Sequence, residues 1–265
     1  MRLEDLGEFP LIARLTAGLE SRADVALGVG DDAAALDLGA GHLLLATCDA
    51  QVEGTHFLPS IATPEEIGHK ALAVNLSDIA AMGGEPLWAL VSLLAPPTLD
   101  VATLDGVYAG MRALAQRFNV ALVGGNVSST PGPFTLDITL LGRVTHERML
   151  TRAGAHPGDR LLVTGSLGAA VLALLAFTAA PAQGSLPAEA LAEARSAMGT
   201  PQPRVREGIA LAATGVVSAM LDISDGLAGD LGHLCERSNV GAVVELAALP
   251  VDAATRALAQ ALGRD

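Results

Sequence analysis

The segment from Thr63 to Gly84 constrains the fold most, because its two ends and its interior all predict one long helix. Thr63 can cap this helix, Pro64 suits its first position, and Glu66 completes a Thr-x-x-Glu capping box. The Gly83-Gly84 pair ends it. Such helices alternate with predicted strands along the chain, and the first half also contains hairpin-like strand pairs. We therefore expect an α/β fold, or a mixed α+β fold, with two domains.

The Pro- and Gly-bearing segment Thr151–Asp159 is predicted to be the hinge between these domains, residues 1–150 and residues 151–265. In the first domain, apolar spacing predicts helices at 9–19, 64–82 and 99–118, and strands at 25–29, 43–47, 88–94, 120–123 and 134–144. In the second domain it predicts strands at 160–164, 216–223 and 241–246, and helices at 168–177, 188–198, 204–214, 227–238 and up to residue 262.

The composition limits both the core and the partners. Hydrophobic residues make up 51% of the 265 residues and aromatic residues only 3%, so the core must consist of Ala, Leu, Val and Ile. The net charge of −13 comes from 29 acidic residues against 16 basic ones, of which Lys70 is the single lysine. Such a surface repels phosphate backbones, so we expect no nucleic-acid partner.

The sequence also indicates a cytoplasmic protein without a membrane partner. Its longest apolar stretches, such as Ala169–Phe177, are too short to span a bilayer, and the acidic start of the chain does not resemble a signal peptide. Cys48 and Cys235 have neither metal-type nor redox-type spacing, so we expect reduced thiols.

The segment Gly28–Leu36, with the sequence GVGDDAAAL, has two interpretations. Its Gly-x-Gly-x-x-Ala pattern follows a predicted strand, as in a dinucleotide-binding fingerprint, but Asp31-Asp32 would lie where the pyrophosphate binds and would repel it. The alternative is an Asp-rich turn or helix cap.

Other short acidic residues lie at the ends of predicted elements. Asp49 follows a strand, Asp78 lies near the end of the long helix, and Asp222 and Asp225 flank a strand-to-helix turn. An exposed side chain or a helix cap would explain each one singly. Taken together, they suggest oxygen ligands for Mg²⁺, a hard cation that binds phosphates. The glycines of the segment Gly28–Leu36 would then let a chain of phosphates approach the backbone, and the metal would neutralise the phosphate charge.

A possible anion site lies in the segment Val123–Pro133, where Gly124-Gly125 ends a strand and offers free N–H groups. A plain loop explains the same residues. Arg148 and Arg152 follow the next strand, and either could bind a phosphate, although an exposed arginine is the ordinary alternative.

Seven motifs occur in a fixed order: GVGDDAA, TCDAQVEGTHF, GHKALAVNLSDIAAMGGEP, VGGN, LTRAGAHPGD, VTGSLG and LDISDGL. With them the chain resembles the thiamine-monophosphate kinases, over about residues 6 to 250. This family belongs to the superfamily that includes aminoimidazole ribonucleotide synthetase and selenophosphate synthetase. VEGTHF and TRAGAHPGD point to the thiamine-phosphate branch.

The resemblance implies a reaction and a fold. The family phosphorylates thiamine monophosphate to thiamine diphosphate with ATP, the last step of thiamine diphosphate biosynthesis. Transfer is direct, uses several Mg²⁺ ions and needs no covalent enzyme intermediate, so no catalytic side chain is expected beyond metal and positioning residues. The implied fold has two α/β domains, and the N-terminal one forms a β-barrel across a homodimer.

The resemblance also implies site residues. The metal ligands would be Asp32, Thr47, Cys48, Asp49, Asp78, Asn126, Asp222 and Asp225, with Cys48 offering only its backbone. The ATP contacts would be Tyr108, Gly125, Asn126, Arg152 and Ser224. His56 would contact the phosphate of the thiamine substrate.

Two departures from the family pattern matter. The family has Gly-Gly-Asp-Thr where this chain has Gly-Gly-Asn126-Val127, so we expect weaker Mg²⁺ binding there. The family continues into a Gly-Glu-Asp-Tyr-Glu segment and a later aromatic residue, whereas this chain ends at Asp265. We therefore expect either that the second domain is truncated at its end or that thiamine recognition is incomplete.

Two alternatives to a thiamine-monophosphate kinase stay open. One is another ATP-dependent member of the superfamily; selenophosphate synthetase is disfavoured because the first cysteine is Cys48 and no early Cys–Lys pair exists. The other is a non-enzymatic nucleotide-binding protein or regulatory dimer partner, which Asn126 and the missing C-terminal segment would allow.

Overall fold

The computed structural model describes residues 8–19, 22–39, 41–178 and 186–264. Its helices are α1 (Glu8–Thr16), α2 (Pro64–Ala81), α3 (Val101–Arg117), α4 (Ala169–Thr178), α5 (Ala188–Gly199), α6 (Val205–Thr214), α7 (Leu227–Ser238) and α8 (Ala253–Ala261). Its strands are β1 (Val25–Leu27), β2 (Ala34–Asp37), β3 (His42–Val52), β4 (Glu85–Ala95), β5 (Ala121–Ser129) and β6 (Thr135–Thr145). None of the described helices has the length and apolar character that crossing a membrane requires.

The strands form one mixed sheet in the order β1-β2-β3-β6-β4-β5. β4 and β5 run parallel, and the other neighbours are antiparallel. Leu136, Ile138 and Leu140 alternate along β6 and are fully buried in a core that α2 and α3 also line. The expected mixed α/β class is therefore confirmed. Thr47 and Asp49 lie two residues apart on β3, so their side chains share a face of the sheet.

The Gly28–Leu36 segment is an Asp-rich turn between two antiparallel strands, β1 and β2. A dinucleotide fingerprint requires a helix after the glycines, and here β2 follows instead. The dinucleotide interpretation is therefore wrong. β2 itself is missing from the sequence prediction, because its residues stand among turn-forming Gly and Asp.

The long helix α2 begins as the capping box predicts. The Glu66 N–H donates to Thr63 Oγ1 at 3.3 Å, and the Thr63 N–H donates to Glu66 Oε2 at 2.7 Å. The helix ends where Gly83 adopts a φ of 69°. One side of α2 is buried against the sheet, so its last turn, which carries Asp78, lies over β3.

The second half is helical where it is regular. Leu172, Ala173, Ala190, Ala194 and Leu258 from α4, α5 and α8 form a second, smaller core.

The strands predicted at 160–164, 216–223 and 241–246 do not form among the described residues, and this part of the prediction is wrong. Leu162, Val216 and Val243 are 85%, 83% and 91% exposed, and these apolar segments pair with no strand of the described chain. Apolar β-branched residues favour extended backbone, but a strand also needs a hydrogen-bonded neighbour.

Candidate metal centre

Three carboxylates from distant parts of the chain meet in the folded protein. Asp32 lies in the turn between β1 and β2, Asp78 in the last turn of α2, and Asp222 in the segment before α7. One oxygen from each lies within 4.8 Å of the others. The hypothesis that short acidic residues at the ends of elements converge is therefore supported for these three.

Asp78 is held by a neighbouring strand. Thr47 Oγ1 on β3 donates to Asp78 Oδ2 at 2.5 Å. Burial raises the pKa of Asp78 to about 9; the Thr47 hydrogen bond opposes this shift, and the charges of Asp222, Asp49 and Asp32 add to it. Asp78 is thus a carboxylate that resists ionisation until a positive charge is placed beside it.

Asp32 is the buried member of the group Asp32, Asp78 and Asp222, which we call the acid cluster, and it is paired with an arginine. Arg152 Nη2 hydrogen-bonds Asp32 Oδ1, while Asp32 Oδ2 is buried with no hydrogen-bond partner among the described residues. Burial raises the pKa of Asp32 to about 7, against the opposing effect of Arg152. The Arg152 N–H also donates to both oxygens of Asp31, at 3.3 and 3.1 Å, which fixes this segment on the turn.

Asp222 completes the group. Burial is the main cause that raises its pKa; a hydrogen bond from Ser77 on α2 opposes the shift, and the nearby charge of Asp230 adds to it. Three carboxylates this close, one buried and two partly buried, need more positive charge than Arg152 supplies. Together with the unpartnered oxygen of Asp32, this set of oxygen donors fits a hard divalent cation.

Two neighbours on β3 differ in what they can offer a metal. Asp49 lies on the face of Thr47, and its charge raises the pKa of both Asp78 and Asp222. The thiol of Cys48 is on the opposite face, where Sγ lies 2.9 Å from Asp137 Oδ1. Only the backbone of Cys48 is therefore available to a metal beside Thr47 and Asp49, as the resemblance implies.

The other residues expected at the site are carried by β5, by α3 and by the loop before α7. Asn126 is exposed on β5, and its Nδ2 donates to Ser128 Oγ at 3.0 Å. Gly125 has a φ of 153°, and a Cβ there would fall 1.8 Å from the carbonyl oxygen of Val91, so only glycine fits. Tyr108 on α3 packs against the main core.

The loop before α7 presents Ser224 and Asp225, whose side chains are exposed. Asp225 is not one of the carboxylates that meet within 4.8 Å among the described residues. The roles of Asn126, Gly125, Tyr108, Ser224 and Asp225 stay predictions.

His56 lies in the loop between β3 and α2, and a backbone hydrogen bond sets the tautomer of its neutral ring. The Val52 N–H donates to His56 Nδ1 at 3.0 Å, so Nδ1 accepts and the proton of the neutral ring lies on Nε2. The side chain is exposed. This arrangement leaves the Nε2–H as a donor for an anionic ligand.

Three contributing residues escaped the sequence prediction. Lys70 Nζ donates to the carbonyl oxygen of His56 at 2.9 Å. Ser238 Oγ donates to the carbonyl oxygen of Arg152 and accepts the N–H of Gly154. Asp230 accepts backbone hydrogen bonds in the loop before α7. The only available signal was that Lys70 is the single lysine, since backbone contacts leave no trace in side-chain spacing.

Comparison with known proteins identifies related families and structures. Residues 30–144 match the family model of the AIR synthase related protein, N-terminal domain. Residues 156–263 match the model of its C-terminal domain. The thiamine-monophosphate kinase of Escherichia coli K12 is 41% identical over 247 residues, which are 92% of this chain and 73% of the relative. That of Mycobacterium tuberculosis H37Rv is 37% identical over 264 residues, 99% of this chain and 76% of the relative.

Solved structures lead to the same family. AaThiL complexed with AMPPCP and TMP aligns with a TM-score of 0.88 and 32% identity, covering 100% of this chain and 81% of that chain. The fold is thus the mixed α/β, two-domain fold of these proteins with one mixed sheet, while the boundary at residue 150 stays a prediction. The chain belongs to the AIR synthase related proteins and, within them, to the thiamine-monophosphate kinase family.

Proposed function

We propose that this chain transfers the γ-phosphoryl group of ATP to the phosphate of thiamine monophosphate and forms thiamine diphosphate. The observation that carries the proposal is the convergence of Asp32, Asp78 and Asp222 in a chain that matches thiamine-monophosphate kinases over most of its length. The structural relative holds AMPPCP, an ATP analogue, together with TMP, and it aligns over all of this chain.

We propose Mg²⁺ as the metal, with Asp32, Asp78 and Asp222 as ligands and with Thr47 and Asp49 beside them. Bound there, Mg²⁺ would neutralise charge on the phosphates and reduce the repulsion between the anionic nucleophile, the phosphate of thiamine monophosphate, and the anionic electrophile, the γ-phosphoryl group of ATP. Asn126 supplies a carbonyl oxygen but no charge, so a metal that it contacts would be held more weakly.

The chain's own residues position the two phosphorylated substrates. Arg152 is a permanent cation at the edge of the acid cluster and can bind a phosphate of ATP. The Nε2–H of His56 can donate to the phosphate of thiamine monophosphate. A general base is not needed, because the attacking phosphate oxygen is already deprotonated near pH 7.

We also propose a homodimer in which the N-terminal sheets form a barrel, acting in the cytoplasm where ATP is available. The sheet supports this: Trp88 and Leu90 on β4 and Val123 and Val127 on β5 are exposed, and they make an apolar strip at the edge of the sheet. Light scattering of the purified protein tests the dimer, and Leu90→Glu should shift the mass to that of a monomer.

An activity assay tests the reaction. The protein, ATP, Mg²⁺ and thiamine monophosphate should give ADP and thiamine diphosphate in equal amounts, and omission of either Mg²⁺ or thiamine monophosphate should stop ADP release. A panel of aminoimidazole precursors separates other members of the superfamily. Binding of AMPPCP without any turnover, in a protein with the relatives' C-terminal segment added, would favour the nucleotide-binding alternative instead.

A further inference from the structure

Asp230 shapes the loop that precedes α7. It lies in the first turn of this helix and is 5% exposed. Its Oδ2 accepts three consecutive backbone hydrogen bonds, from the N–H groups of Ser224, Asp225 and Gly226, at 3.1, 3.2 and 3.0 Å. One carboxylate oxygen thus fixes the backbone of three residues.

Three successive N–H groups that converge on one point, at the start of a helix, form an anion site that a ligand could otherwise occupy. Here the anion is supplied by the chain. Gly226 adopts a φ of 116°, a conformation that favours glycine and lets the three donors turn the same way. Because the donors face Asp230, the side chains of Ser224 and Asp225 stay on the exposed side of the loop.

The same segment carries a member of the acid cluster. Asp222 lies two residues before Ser224 and accepts a hydrogen bond from Ser77 on α2. The segment is therefore fixed at one end by α2 and at the other by Asp230. A loss of either contact would let Asp222 move away from Asp32 and Asp78.

We propose that Asp230 is a positioning residue: it holds the segment from Asp222 to Gly226 so that Asp222 faces the other two carboxylates, and thereby sets the affinity for the metal–nucleotide complex. This inference rests on the proposed function. The hydrogen bonds of Asp230 described above all come from backbone N–H groups, so it acts through the residues that it orders.

The test compares two Asp→Asn variants that both remove a carboxylate from the start of a helix. Asp230→Asn should weaken binding of AMPPCP in the presence of Mg²⁺, and raise the Mg²⁺ concentration for half-maximal activity, each by roughly tenfold, the usual effect of removing a group that orders metal ligands. Asp252→Asn is the matched control, because Asp252 caps α8 by accepting the Thr255 N–H at 2.7 Å, away from the acid cluster. It should lower the melting temperature without changing either constant.

Calorimetry with Mg²⁺ and AMPPCP needs no turnover, so it distinguishes this inference from the reaction. If the wild-type protein binds Mg–AMPPCP but transfers no phosphoryl group, the proposed reaction fails. The binding constants of the wild type and of Asp230→Asn then still test the positioning role. If Asp230→Asn folds and binds Mg–AMPPCP as the wild type does, the inference is overturned. If Asp230→Asn does not fold, Asp230→Glu, which moves the carboxylate by one methylene, is measured in the same way; a weakened constant supports the inference and an unchanged one overturns it.

Discussion

The guanidinium of Arg152 pairs with the buried carboxylate of Asp32, 120 residues earlier in the chain. This contact joins the segment after β6 to the turn between β1 and β2, and it supplies the only arginine within the described acid cluster. The charge of Arg152 also lowers the pKa of Asp222, but burial outweighs it, and the pKa values of Asp222 and Asp78 both stay raised. These charges should make the stability and the activity of the protein depend on pH and on Mg²⁺.

The metal-free protein should become less stable as the pH rises. The pKa of Asp32 is raised to about 7 and that of Asp78 to about 9, so between about pH 4 and pH 9 the folded state binds more protons than the unfolded state. The free energy of unfolding then falls with increasing pH. Urea unfolding with EDTA from pH 5 to 9 measures this, and added Mg²⁺ should flatten the slope. A free energy of unfolding that increases with pH would contradict the raised pKa values.

Asp78→Asn and Asp222→Asn should lower kcat by more than about 100-fold while leaving the melting temperature unchanged or higher. Each replacement keeps the side-chain volume and removes charge that burial disfavours, so no cavity opens. Enzyme kinetics and thermal unfolding measure the two effects separately. Asp105→Asn, at an exposed position on α3, is the control and should change neither. If either cluster variant mainly unfolds the protein, the residue is structural.

Arg152→Met should destabilise the protein by about 3 kcal/mol at pH 8, because it leaves the Asp32 carboxylate buried without its partner. The loss should shrink at pH 5, where Asp32 can take up a proton. The double variant Asp32→Asn with Arg152→Met should recover most of the stability. Unfolding free energies of the four proteins form the cycle, and additive losses would show that the two residues do not interact.

Lys70→Met should raise the KM for thiamine monophosphate by roughly tenfold and leave the KM for ATP nearly unchanged. The substitution removes the hydrogen bond that Lys70 Nζ donates to the carbonyl oxygen of His56, and a bond from a charged donor contributes about 1.5–3 kcal/mol. Steady-state kinetics with each substrate varied separately tests the selectivity. Equal changes in both KM values would mean that the loop does not act on one substrate alone.

The parts of the fold that sequence patterns predict are those whose signal is local. The capping box at Thr63 and Glu66 and the glycine at position 83 place both ends of α2, because each acts within one turn of its own backbone. The stretch 216–223 has the residues of a strand but no strand partner within the described chain. Strand pairing depends on residues distant in sequence, so propensity alone could not decide it.

The sequence predicts the acid cluster, but it does not predict the residues that support the cluster. Asp32, Asp78 and Asp222 share a recognisable form, a short acid at the end of an element, and they meet as expected. Asp230 and Lys70 lie on helices and hydrogen-bond backbone groups of neighbouring loops. Every residue type has the same backbone groups, so such a contact leaves no pattern of paired side chains in the sequence.

Asn126→Asp should lower the Mg²⁺ concentration needed for half-maximal activity several-fold, because it adds a full carboxylate where the chain has a neutral amide. Asn126 is exposed on β5, so the added charge has little desolvation cost in the free protein. Ser128→Ala is the matched control: it removes the hydroxyl that Asn126 Nδ2 hydrogen-bonds without adding charge, and it should not lower the Mg²⁺ requirement. Mg²⁺ titrations of activity at saturating ATP and thiamine monophosphate give both values. An Asn126→Asp protein with an unchanged Mg²⁺ requirement would place this residue outside the metal site, and the acid cluster would then bind its cations without β5.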